Sequence, residues 1–219
     1  MVLQLAEHLE VPLRDRNALL LAAGYAPVFR ERALPSPELA GAWRAVERVL
    51  AAHEPFPALA IDRHWNVVAF NKAIAPFLNC VAPALRKSPV NVLRNSLHPD
   101  GMAPRIANLA EWRHHVLTRL RRQIDRTADP VLIDLLRELV GYPASNETEA
   151  PTETSAEDGV AVPMHFRSPA GLLDLLSTTM VFGTALDITL SELAIEAFFP
   201  ANEATAATLR RIAESHRTA

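Results

Sequence analysis

Asn91 and Arg94 stand three residues apart in a segment that also carries Val92, Leu93 and Leu97. On a helix that spacing puts an amide and a planar guanidinium on one face. Such a pair of donors suits a carboxylate at the rim of an apolar cavity. The same residues also fit a plainer role, tethering a helix to a neighbouring loop. Arg119, Arg122 and Arg126 form a second basic set. It could meet a phosphate, a partner or a carboxylate, or simply form a solvated helix face diluted by Asp125.

Catalytic patterns are missing. The sequence holds no G-x-S-x-G, no H-E-x-x-H and no phosphate-cradling glycine loop. His114 and His115 are adjacent, so on a helix they point about 100° apart and do not share a metal. Cys80 has no nearby His or Lys to lower its pKa and reads as a small buried hydrophobe. His98, Asp100, His114 and His115 are the material an enzyme would have, and they form no set of nucleophile, base and oxyanion donors. No metal, no cofactor and no enzymatic activity are expected.

The whole composition bounds the rest. With 219 residues, 49% hydrophobic and 21% charged, the chain can bury a sizeable core. A net charge of −3 is not that of a strongly basic nucleic-acid domain. One cysteine excludes an internal disulfide framework and fits a reducing compartment. The N-terminus lacks a basic n-region, and Glu7, His8 and Glu10 interrupt any apolar h-region. No run reaches the ~18 apolar residues of a membrane span. A cytoplasmic protein without membrane contact is expected.

The elements that must position these residues follow from periodicity. Residues 1–24 read as two short helices, the second capped by Asp15 and stopped by Gly24. Ser36-Pro37 opens an amphipathic helix with the stripe Leu39, Trp43, Val46 and Leu50. Residues 58–61 and 65–70 read as a hairpin about Asp62-Arg63-His64. Asn71 then caps a helix through Ile74, Phe77 and Leu78, and Ser88-Pro89 opens another. His98-Pro99-Asp100-Gly101 is a turn. A long helix over 104–126 carries Leu109, Trp112, Val116, Leu120 and Ile124, and Asp129-Pro130 starts the next, closed by Gly141.

Residues 144–159 are polar and acidic and read as a solvated loop. Strand patterns return at 160–166, 172–182 and 188–199. In the last, Leu193, Ile195, Ala197 and Phe199 share a dry face and Glu192 and Glu196 a wet one. Asn202 caps a final helix. Two strands, a helical block and three strands predict an α+β fold, a five-stranded antiparallel sheet with inserted helices over one face. Such a sandwich can enclose an apolar cavity. Phe77, Leu93, Leu97, Trp112, Val116 and Leu120 lie on the covering helices as core residues or, on the sharper reading, as pocket lining.

Leu5-Ala6-Glu7 with Val11-Pro12-Leu13-Arg14-Asp15-Arg16-Asn17-Ala18-Leu19-Leu20-Leu21-Ala22-Ala23-Gly24-Tyr25 resembles the end of an Xre-type helix-turn-helix domain. The run is like that of the MmyB-like transcription regulators. The remainder is similar to their ligand-binding domain, in Asp62-Arg63-His64-Trp65-Asn66-Val67-Val68-Ala69-Phe70-Asn71, Asn91-Val92-Leu93-Arg94, His98-Pro99-Asp100-Gly101, the Trp112 helix and Glu196-Ala197-Phe198-Phe199-Pro200.

The resemblance implies a PAS-like sensor domain over 36–219, a linker over 26–35, and a helix-turn-helix remnant over 1–25. It implies a pocket for a fatty-acid-like molecule, whose head group would meet Asn91 or Arg94, and a homodimer. The family's DNA-reading helix lies upstream of the matched run, so DNA would be bound only through a complete helix-turn-helix domain. The alternatives are an enzyme acting on a lipid-like substrate and a dimerisation module with a filled core.

Overall fold

Two segments far apart in the chain build one sheet. The computed structural model describes residues 1–34, 36–143, 162–183 and 185–217. The strands are β1 (Ala58–Ile61), β2 (Val67–Phe70), β3 (Met164–Ser168), β4 (Gly171–Val181) and β5 (Ala194–Pro200). They lie in the order β2-β1-β5-β4-β3, and every neighbouring pair is antiparallel. β1 lies inside the sheet, between β2 and β5, and is buried at every residue, which is why its sequence is an unbroken apolar run rather than an alternation.

The first helices are α1 (Val2–His8), α2 (Leu13–Ala22) and α3 (Ala40–Ala52). Between β2 and β3 come α4 (Ala75–Leu78), α5 (Val92–Leu97), α6 (Leu109–Thr127) and α7 (Pro130–Val140). A short α8 (Ile188–Ser191) precedes β5, and α9 (Glu203–Arg217) follows it. This is the expected α+β, PAS-like arrangement. The expectation of one covered face is corrected, because helices lie on both. Val46 and Leu50 of α3 pack on Ala58, Ala60, Ile195 and Ala197. The larger cluster lies on the opposite face, where Leu59, Ile61 and Leu175 meet Phe77, Leu93, Trp112, Val116 and Leu120 of the inserted helices.

Several boundaries shift for reasons of hydrogen bonding. α2 starts after Pro12, with Asp15 inside its first turn. Ser36 makes no cap bond, and Pro37–Leu39 form a 3-10 turn before α3. α5 is opened by Asn91 rather than by Ser88-Pro89, because the Asn91 Oδ1 accepts from Leu93 N and Arg94 N. Ala103–Arg105 form a separate 3-10 turn, so the long helix begins at Leu109. Asp187 accepts from Thr189 N and turns Ile188–Ser191 into helix, which shortens the predicted last strand to Ala194–Pro200. In that strand Glu196 is not wet: it is 5% exposed, on the face the inserted helices cover, while Phe199 is 42% exposed.

Other signals hold. Asp129 caps α7 through Val131 N, and Asn202 Oδ1 accepts from Thr205 N at the start of α9. Gly101 is required in its turn, since a Cβ there would stand 2.3 Å from the Asn95 carbonyl oxygen. The acidic 144–159 segment and Val160 lie outside the described residues.

The expected cap by Asn71 is corrected. Its side chain makes no cap bond. Instead its Oδ1 accepts from Ala58 N, and its Nδ2 donates to the carbonyls of Leu50 and Phe56. It thereby joins α3, β1 and the end of β2 at a buried point. Asn71→Ala orphans three backbone groups, and we expect it to cost about 3 kcal/mol of stability, read by urea unfolding.

Candidate functional site

A cavity of about 350 Å³ lies between the sheet and the inserted helices. Leu59, Met164 and Leu175 line it from the strands, Phe77, Leu93, Trp112 and Val116 from the helices. Its volume and apolar lining are those of a small-molecule site. Phe70, Arg86 and Ser88 are lining residues exposed to solvent and mark its mouth.

The polar lining is sparse and mostly satisfied. Arg119 of α6 donates from Nη2 to Glu196 Oε1 (2.5 Å) and from Nη1 to Glu196 Oε2 (3.2 Å). Thr179 Oγ1 donates to the same carboxylate and accepts from Arg119 Nη2. The guanidinium also sits 4.6 Å from the Trp65 ring centroid, a cation–π contact. Trp65 itself has φ +68° in the β1–β2 turn, where the Asp62 carboxylate accepts from His64 N and Asn66 N. Its Nε1 donates to Gln123 Oε1. Trp112 Nε1 donates to Ser96 Oγ, and the His115 ring stacks on Trp112 at 5.6 Å. Asn95 also lines the cavity, 4% exposed, with its Oδ1 buried and unbonded.

A family model for the MmyB-like transcription regulator ligand binding domain matches residues 42–212. The chain belongs to this family. No curated protein matches it. The matched stretch of this MmyB-like domain contains the whole sheet and every residue of the cavity.

The residues singled out from the sequence separate into two groups. Phe77, Leu93, Trp112 and Val116 come together as cavity lining. Leu97 and Leu120 lie in the packed core beside it, 2% and 0% exposed. Asn91 and Arg94 do not reach the cavity. Besides capping α5, Asn91 donates from Nδ2 to the His64 carbonyl and to Asn66 Oδ1, so it tethers the helix to the hairpin turn. Arg94 forms a two-pronged pair with Glu138 of α7, Nε to Oε1 at 2.6 Å and Nη2 to Oε2 at 2.7 Å. The Tyr142 hydroxyl donates to the same carboxylate. The Arg94 hydrogen bonds hold the Glu138 carboxyl below its ordinary range, while burial and Glu138 push the Tyr142 phenol up to about 12.

Glu196, Asn95 and Arg86 line the cavity without having been singled out, and Arg119 and His115 line it although the sequence set them in a basic stripe and a histidine pair rather than at a pocket. A signal existed for two of them. Arg119 falls seven residues after Trp112 and three after Val116, on the same face of α6. Glu196 shares a strand face with Ala194 and Phe198, which pack against the same core. Cys80 is half-buried, its Sγ donates to the Phe77 carbonyl, and burial pushes its thiol pKa up, as for an unreactive cysteine. Among the described residues no three of His, Cys, Asp and Glu gather to hold a metal.

Burial, aided by Arg119 and Arg122 and opposed by Glu196 and Glu111, holds the His115 imidazole below its ordinary pKa. The unfolded chain protonates this ring near pH 6.5, as free histidine does, while the folded protein keeps it neutral. The unfolded state therefore binds more protons just below that pH, and stability falls as pH drops through it. We expect His115→Gln to lose less stability than the parent between pH 7.5 and 5.5, measured by urea titration at both values.

Proposed function

We propose that this domain senses an elongated apolar molecule with an acidic head, of the fatty-acid class. The observation that carries the reading is the placement of charge around an apolar space. Arg86 and Arg119 are the guanidinium side chains that line the cavity. Arg119 is already neutralised by Glu196. Arg86 is exposed at the mouth, and no ion pair involves it among the described residues. A carboxylate head is best accommodated there, with the chain running inward past Val67, Phe70 and Leu78 toward Phe77. The open volume also speaks against a dimerisation module with a filled core.

The domain would act as the sensor of a dimeric cytoplasmic regulator that binds DNA through a complete helix-turn-helix domain, with α1 and α2 as that domain's tail. Strand β5 offers a route between the two. Glu196 of β5 faces the cavity. Four residues upstream, Glu192 accepts two hydrogen bonds from Arg14 of α2, which also pairs with Glu31. A ligand switches such a system only if it binds two dimer arrangements with different affinity.

Native mass spectrometry with lipid extraction tests the reading. A co-purified acyl-chain acid near one per subunit is the expected result, and the same spectrum gives the oligomeric state. Protein that is empty and ignores added fatty acids overturns it. Arg86→Glu should weaken an added fatty acid about tenfold, the equivalent of 1.4 kcal/mol. Arg94→Met should lower stability by breaking the Glu138 pair and leave affinity unchanged. A loss confined to the Arg94 variant would move the head group there.

A further inference from the structure

A second concavity, a groove of about 800 Å³, lies behind the first. Its walls come from α4, from the β3–β4 hairpin and from α9. Phe166, Leu173, Leu209 and Ile212 give it an apolar floor, and Lys72, Arg105 and Arg210 stand among its lining. Phe77 is the single residue, among those described, that lines both spaces.

The Phe77 side chain is buried where the two spaces meet. It is 5% exposed, and its ring meets that of Phe166 at 4.9 Å between centroids with the planes inclined by 42°. Phe166 lines only the groove, so the aromatic pair stands where the two spaces share a residue. Neither ring carries a polar group that would have to be satisfied after a change of position. Phe77 also sits on a helix of one turn, Ala75–Leu78, preceded by a 3-10 turn over Lys72–Ile74. So short a helix has little hold on its own conformation and depends on the packing of this ring.

We infer that Phe77 sets the length of chain the cavity accepts, by closing its inner end against the groove. The inference rests on the acyl-ligand reading above. Each methylene buried adds about fourfold in affinity, from ≈ 0.8 kcal/mol per group. In the parent protein that gain must stop when the chain end reaches the Phe77 ring. Phe77→Ala joins the cavity to the groove, and a longer chain then continues onto the apolar floor formed by Phe166, Leu173 and Leu209.

The test is a titration of full-length parent, Phe77→Ala and Phe77→Leu proteins with saturated fatty acids of increasing length, below their critical micelle concentrations. Affinity in the parent should rise and then level off. In Phe77→Ala the plateau should move to longer chains, and past the parent's plateau the variant should bind at least about tenfold tighter, roughly what two further methylenes supply. Phe77→Leu should fall between them and carries the test if the alanine variant does not fold. Identical plateaus in parent and folded variants overturn the partition while leaving the acyl-ligand reading intact. Failure of every chain to bind any of the three overturns both.

Discussion

A carboxylate placed between a sheet and a helix has to be paired, and the pairing of Glu196 with Arg119 organises the layer that holds the cavity. Glu196 belongs to β5, and its neighbour across the ladder is Thr179 of β4, which shares the interaction. Arg119 comes from α6 and rests on Trp65 of the β1–β2 turn. One ion pair therefore ties two strands, a turn and the longest of the inserted helices at a single separation. Removing either partner of a well-buried pair leaves an uncompensated charge. Here Arg119 is about one-third exposed, so the cost is softened by solvent. The pair also neutralises the Arg119 charge inside the cavity, so among the described residues the lining guanidinium without an ion pair is that of Arg86 at the mouth.

Around this pair the inserted segment is held by polar ties at its ends rather than by helical stability. α4 has four residues and α5 six, too few to persist without tertiary support. Asn91 caps α5 and anchors it to the hairpin turn, and Arg94 clamps it to Glu138 of α7. Asn71 fixes the point where β2 gives way to α4. These three residues spend their hydrogen-bonding capacity on the scaffold. A wall of short, tied elements around an apolar space can hold a cavity open where long packed helices would close it with interdigitated side chains.

Much of this was legible along the chain, because it is local. Alternation and helical periodicity identified the five strands and the inserted helices, and the caps at Asp129 and Asn202 follow from side chains bonding their own backbone nearby. The apolar stripe of α6 named Trp112 and Val116 as lining residues for the same reason, since a face of a helix is fixed by spacing alone. The strand over 188–199 was misread at its start because Asp187 offers a helical cap that competes with the alternation.

What the chain could not reveal was decided by which layers meet. Glu196 alternates with apolar residues and so reads as solvent-facing, until a helix from seventy-odd residues earlier covers that face and supplies Arg119. Asn91 and Arg94 share a helix face suited to a carboxylate, yet that face meets the hairpin turn and Glu138 instead of the cavity. Periodicity says which residues point the same way, and it does so because backbone geometry is local. What they point at depends on long-range packing, which brings together charges and rings that no sequence spacing relates. The amino-acid sequence alone thus determined the strands, the inserted helices and part of the apolar lining, and only the tertiary structure decided which polar groups bind the protein to itself and which stay unpaired among the described residues.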